Sequence, residues 1–234
     1  MQLKFFNNLK EADKSSAVRK LIDNSSPDQM FFLMVILSVM MATFGLLQGS
    51  APVIIGSMLI APVLYPVLSL AMGFVMSDSP VIGRSFRTLG RSVMYALIAS
   101  VLVTIFFSVG EPINEEIIYF AEPSLISVAI AIIAGLAASF ALIKPELDAT
   151  LPGVAISVSL VPPLGVIGIG IAKASWVLIS SSVLLFVINV LGIVFASMIL
   201  FSSMNFYAKR KVAESEIKID NEKIEKEKLV EREV

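Results

Sequence analysis

Gly56-Ser-Met-Leu-Ile-Ala-Pro-Val-Leu-Tyr-Pro66 and Pro152-Gly-Val-Ala-Ile-Ser-Val-Ser-Leu-Val-Pro-Pro163-Leu-Gly165 each lie inside a long apolar run. Proline within a helix removes a backbone donor and clashes with the carbonyl four residues earlier. Prolines four apart (Pro62 and Pro66) or adjacent (Pro162 and Pro163) therefore predict a kinked or unwound segment. The freed carbonyls cannot face lipid, where each unsatisfied group costs several kcal/mol. They must meet protein, a bound ion or a wet cavity.

Working outward, the whole chain is apolar. It has 234 residues, 56% hydrophobic and 16% charged, with a mean hydropathy of +0.87. Soluble domains run near 45–50% apolar and about 25% charged. Six runs, roughly 27–48, 51–76, 86–109, 123–143, 151–172 and 176–204, approach the ~20 residues that cross a ~30 Å hydrocarbon layer. They predict an all-α polytopic membrane protein of six transmembrane helices, with helices 2 and 5 broken. Met30–Leu47 follows a long polar segment and precedes five similar runs, so it reads as a membrane helix and not a cleaved signal. Ser26-Pro27-Asp28-Gln29 predicts its start, with a serine N-cap, proline at the first helical position and an S-x-x-Q capping box.

Charge orients the spans. Arg84, Arg87 and Arg91 cluster where span two gives way to span three, and Lys209, Arg210 and Lys211 follow span six. Glu111, Glu115, Glu116 and Glu122 fill the connection between spans three and four, which has no Lys or Arg. The positive-inside rule then places both termini in the cytoplasm of a multi-pass cell-membrane protein. The predicted organisation is an amphipathic cytoplasmic segment (1–25), a first three-helix repeat (26–110), an acidic extracytoplasmic loop (111–122), a second three-helix repeat (123–204) and a charged cytoplasmic helical tail (205–234). In the first segment Leu3, Phe6, Leu9, Val18, Leu21 and Ile22 recur at helical spacing among lysines. Such a stripe lies either in the membrane interface or against the protein's own cytoplasmic face. In the tail, Glu214–Lys218 and Glu222–Lys226 form i,i+4 pairs that suit a solvated helix. Ile217 and Ile224 leave a coiled coil open, although Asn221 and Lys228 interrupt the seam.

The two Pro-rich stretches also match each other. Gly56 to Gly73 aligns without gaps on Gly153 to Gly170 at an offset of 97, pairing Pro66 with Pro163. A rival offset of 100 pairs Pro52 with Pro152, Ser57 with Ser157 and Pro62 with Pro162. Either sets span two against span five and makes the unit three helices. A three-helix unit starts on one side and ends on the other, so its second copy enters upside down. Inverted repeats of this kind, with interrupted helices at matching positions, are a transporter architecture.

Candidate pore-lining or binding residues follow from the breaks. They are Gly56, Ser57, Pro62, Tyr65, Pro66 and Ser69 in the first stretch, and Gly153, Ser157, Ser159, Pro162, Pro163 and Gly165 in the second. Asn189, an amide inside span six, joins them. Pro, Gly and Ser also serve membrane helices as kinks and packing surfaces, and a buried amide is often inter-helix glue. Both readings stand at these positions. The Lys144, Glu146 and Asp148 cluster reads as a charged loop or as a vestibule before the fifth-span break. Histidine and cysteine are absent, and no Asp, Glu, Lys or Arg sits at the centre of a span. That removes the usual metal ligands, thiol nucleophiles, acid–base pairs and proton-relay carboxylates. We therefore expect no enzyme, no cofactor and no metal. A net charge of −1 gives no reason to expect nucleic acid.

Ala42-Thr-Phe-Gly-Leu-Leu-Gln-Gly-Ser50, Val53-Ile-Ile-Gly-Ser-Met-Leu-Ile-Ala-Pro62 with Pro66, Pro152 to Leu164, and Asn189 together resemble the prokaryotic hydrophobic membrane family called domain of unknown function 389. The resemblance covers about residues 25–204, with Ser57 standing where the family pattern has alanine. Some members carry an added soluble N-terminal domain, which this sequence does not include. The resemblance implies the membrane fold and supplies no activity. The expected function is a channel or transporter for an ion or small solute, with its site at broken helices 2 and 5. Membrane lipids and further copies of the chain, in a homo-oligomer, are its expected partners. The alternative is a non-transporting scaffold or signalling protein acting through its cytoplasmic termini.

Overall fold

The computed structural model describes residues 11–108, 112–144, 147 and 160–233, and its regular elements there are all helical. They are α1 (Glu11–Asn24), α2 (Gln29–Gln48), α3 (Ala51–Met58), α4 (Leu64–Met76), α5 (Ser79–Phe107), α6 (Glu115–Tyr119), α7 (Leu125–Ile143), α8 (Val161–Ala172), α9 (Trp176–Ser203) and α10 (Arg210–Glu233). A 3-10 turn, Phe206–Lys209, joins α9 to α10. Four helices, α2, α5, α7 and α9, are long and apolar enough to cross a membrane. Leu37 on α2, Leu102 on α5, Ile133 on α7 and Phe195 on α9 are exposed on their outer faces. A surface this apolar suits hydrocarbon, and these long helices are those of a membrane protein.

The centre is built from short helices. Val161 to Gly170 of α8 are all buried, as a helix apolar on every side must be. α2, α5 and α9 surround it, and α5 and α9 both also pack on α4. α4 has 13 residues and α8 has 12. At 1.5 Å per residue they reach about 20 Å and 18 Å, short of a ~30 Å hydrocarbon layer.

One local pattern builds three of the turns. Gly45, Gly73 and Gly170 each accept a hydrogen bond from the backbone five residues on, at Ser50 (2.8 Å), Asp78 (3.0 Å) and Ser175 (2.8 Å). The residue before each donor, Gly49, Ser77 or Ala174, is left-handed, with φ of 68°, 52° and 53°. This is the Schellman-type stop that satisfies the last carbonyls of a helix. The donor then opens the next helix, whose fourth residue comes back against the glycine. A Cβ on Gly45, Gly73 or Gly170 would meet the backbone nitrogen of Ile54, Ile82 or Ile179 at 3.0, 3.1 and 3.2 Å. The second and third turns stand 97 residues apart at every one of these positions.

Those two turns sit at opposite ends of the bundle. Asp78 lies beside α10, its Oδ2 3.5 Å from Arg210 Nε. Lys173, in the α8–α9 turn, donates from Nζ to the Ser108 carbonyl at the far end of α5 (3.0 Å). Near it, Asn114 Nδ2 donates to the Leu46 carbonyl at the end of α2 (2.7 Å).

Several sequence expectations change here. Asp28, not Ser26, caps α2, accepting from the Phe31 N–H at 2.6 Å. Ser26 donates instead to Asp220 of the tail (2.9 Å). α5 begins at Ser79, so Arg84, Arg87 and Arg91 stand on its first turns and not in a loop. The tail is docked, with Ala213 and Asp220 buried, and Glu214 pairs with Arg210 (2.9 Å) in place of Lys218. α1 buries Ala17, Val18, Leu21 and Ile22 and packs on α4, α7 and α10. Over residues 11–24 it is a helix laid on the protein itself. Leu3, Phe6 and Leu9 lie outside the described residues.

Candidate functional site

The first Pro-rich stretch contains a tight turn. α3 ends at Met58, where the Leu59 N–H reaches back to the Gly56 carbonyl at 3.3 Å. Residues 59–63 follow, and α4 restarts at Leu64. Pro66 is the third residue of α4, within the first turn, where a helix has no carbonyl to offer its N–H groups. Proline costs no hydrogen bond there. Pro162 and Pro163 stand likewise at the second and third positions of α8. The prolines therefore start short helices instead of kinking long ones.

The carbonyl at the end of α3 finds a protein partner. Ser38 Oγ, buried on α2, donates to the Ser57 carbonyl at 2.7 Å. Ser57 Oγ turns inward to the Ile54 carbonyl at 2.6 Å. Gly56 is half-buried, and a Cβ there would come 3.3 Å from Met41 Cε. Pro62 and Tyr65 are half-buried, while Pro66 and Ser69 are buried. Ser85 Oγ donates to Ser69 Oγ at 2.9 Å, which ties α5 to α4. Ser69 thus acts as inter-helix glue.

A second polar chain crosses the centre of the bundle. Ser100 Oγ on α5 donates to the Gly165 carbonyl on α8 at 2.8 Å. Thr43 Oγ1 on α2 lies 3.0 Å from Ser100 Oγ and 2.7 Å from the Val39 carbonyl, and its single proton serves one at a time. A Cβ on Gly165 would lie 2.9 Å from Leu46 Cδ1, so its absence lets α2 and α8 approach. The chain joins the first, third and fifth apolar runs through hydroxyls and one backbone oxygen.

Asn189 stands elsewhere. It is buried on α9 and lines a cavity of about 320 Å³ with Tyr119, Phe120, Glu122, Ser124 and Ser127. Gly153, Ser157, Ser159, Glu146 and Asp148 lie outside the described residues. The signals missed from sequence are Ser38, Thr43 and Ser100. Each shares its helix with at least one other hydroxyl, and nothing in the sequence marks which of them meets a backbone carbonyl or a hydroxyl across the bundle.

Chemically the described residues of this region offer hydroxyls, backbone carbonyls and one phenol. Among the described residues no group of three or more His, Cys, Asp or Glu is arranged to hold a metal. Dipoles of this kind bind and release a polar or ionic species without covalent chemistry.

The sequence matches one family profile, described as Domain of unknown function (DUF389), over residues 58–195. An uncharacterized protein of Methanocaldococcus jannaschii is 29% identical over 182 residues. The match takes in 78% of this chain and 56% of that relative, so the chain spans little more than half the relative's length. No solved structure matches.

Proposed function

The chain belongs to the family described as Domain of unknown function (DUF389), and we propose that it is a membrane channel or transporter for an ion or small solute. In this reading the permeation site lies where the second and fifth of six spans are interrupted. The observation that carries it is the correspondence of α4 and α8. Both are too short to cross a bilayer, both carry proline at their third position, and both are packed by α5 and α9. A helix that starts inside the membrane leaves non-helical backbone there, which is tolerated against protein or a wet cavity. Interrupted helices at matching positions are the arrangement of transport sites.

The offset of 97 supports two repeats of three helices. It relates Leu64 to Val161, Pro66 to Pro163, the left-handed Ser77 to Ala174, and the first residues of α5 and α9. The placement of the two related turns at opposite ends of the bundle supports inversion. Arginines 84, 87 and 91 share an end with α1 and α10, and Glu115 and Glu116 lie at the other, which supports cytoplasmic termini in the cell membrane. The exposed apolar faces are available to lipid and to further copies of the chain in a homo-oligomer. No catalytic step is part of this reading.

Proteoliposomes test it. Purified protein should pass at least one of a panel of ions and small polar solutes, and Pro66→Ala and Pro163→Ala should each change that flux. No flux across a broad panel would count heavily against it. The scaffold reading draws on the docking of α10 on α1 and α5. It requires that loss of residues 208–234 abolish function in cells. A pore in liposomes should keep conducting without them.

A further inference from the structure

We propose that the cavity between the first turns of α5 and the docked tail is a binding site for a phosphate-type oxyanion. The cavity measures about 270 Å³ and is lined by Arg84, Arg87, Thr88, Arg91, Ile217 and Asn221, with two prolines at its edge. The three arginines follow at i, i+3 and i+7, so they share one face of α5.

Arg84 is buried, and its Nη2 donates to Asp220 of the tail. Its Nε and Nη1 are buried with no hydrogen-bond partner, and so is Thr88 Oγ1 one turn on. Buried donors without a protein partner are rare in native structures, and such groups are met by water or a bound ion. Asp220 offsets one of the three guanidinium charges, which leaves an excess of positive charge facing the space. A carboxylate offers two oxygens. A phosphoryl group offers three or more in a tetrahedral array, which suits several guanidinium forks and a hydroxyl lining one space. The cavity exceeds the roughly 30 Å³ of one water several-fold, so an esterified phosphate fits.

Just C-terminal to the arginines, α5 becomes apolar. A lipid headgroup and a soluble phosphate could each supply the anion. Bound there, it would join α5 to α10 and fasten the tail. This site is independent of the permeation reading, since its ligand need not cross the membrane.

The test uses the full chain in a neutral detergent at constant ionic strength. The probes are inorganic phosphate and dihexanoyl phosphatidic acid, with dihexanoyl phosphatidylcholine as control. Saturable binding and a raised melting temperature are expected from at least one of the first two. Arg87→Gln with Arg91→Gln should weaken that binding about tenfold or more, as expected for lost charge-assisted hydrogen bonds. Thr88→Val, which leaves every arginine in place, should weaken it as well, and it serves alone if the double variant fails to fold. A response to phosphate assigns a soluble ligand, and a response to phosphatidic acid alone assigns a lipid headgroup. The proposal is overturned if neither binds, if phosphatidylcholine binds equally, or if the folded variants bind as the parent does.

Discussion

Arg84 and Asp220 form an ion pair across 136 residues of sequence, and their side chains keep 10% and 9% of their surface. The pair fastens the tail to the start of the third apolar run. Removing one partner leaves a buried charge uncompensated, at about 3–5 kcal/mol. Arg84→Met or Asp220→Leu should each destabilise by that order, and the double variant by less than either. Denaturant titration in detergent gives the comparison. Additive losses would show that the two residues act separately.

Gly168 of α8 faces Ser100 so closely that a Cβ would lie 2.3 Å from its Oγ and 3.1 Å from the Val101 nitrogen. Gly90 of α5 has open space in the same position. Gly168→Ala should cost about 1–3 kcal/mol by overpacking. Gly90→Ala should be neutral or slightly stabilising, since alanine is the better helix former. Melting temperatures of the two variants, read side by side, decide it.

Ala174 is left-handed, with φ of 53°, at a position where its counterpart in the α2–α3 turn is Gly49. A side chain there costs roughly 1 kcal/mol. Ala174→Gly should therefore raise the melting temperature, unlike most substitutions of alanine by glycine. A lower value would mean that the turn is not left-handed.

Glu11 receives Lys209 at 2.8 Å and Lys14 at 3.0 Å. The Lys209 ammonium, and after it Lys14, hold its carboxyl down from 4.5 to about 2. A carboxylate with a depressed folded-state value stabilises the fold above its unfolded value, and the gain disappears as pH falls through the folded one. The advantage of the parent over Glu11→Gln should be steady above 4.5 and shrink towards about 2. The group is exposed, so roughly 0.5 M salt should erase the difference at any pH. Melting curves of both proteins across that range supply the measurement, and an advantage that grows on acidification would contradict the pairing.

What the sequence revealed depended on whether the signal was local. Pro66, Pro162 and Pro163 marked the first turns of the short helices, and Pro62 the turn before α4, because proline acts on its own backbone. They left open whether the segment kinks or unwinds, and the short helices begin at Leu64 and Val161. The turns at Ser77 and Ala174 were legible in principle, as a glycine followed nine residues later by isoleucine, a spacing shared with Gly45 and Ile54. Ser26 misled because Ser and Asp cap helices about equally well, and the distant Asp220 took the serine. Arg84, Arg87 and Arg91 misled because charge reads as loop, whereas Pro80 starts a helix that carries them. Ser38, Thr43 and Ser100 could not be singled out, since their partners are backbone and hydroxyl groups brought together by the fold.

Under the proposed function a permeant species passes where the second span is interrupted, and the chain's lack of cysteine opens that passage to thiol labelling. Tyr65→Cys introduces a single thiol beside the break, and Phe106→Cys places one on an exposed face of α5. In proteoliposomes, flux through the Tyr65→Cys protein should fall when a small cationic methanethiosulfonate is added, and flux through the Phe106→Cys protein should not. Equal flux before and after modification of Tyr65→Cys, with the thiol shown to have reacted, would contradict the account.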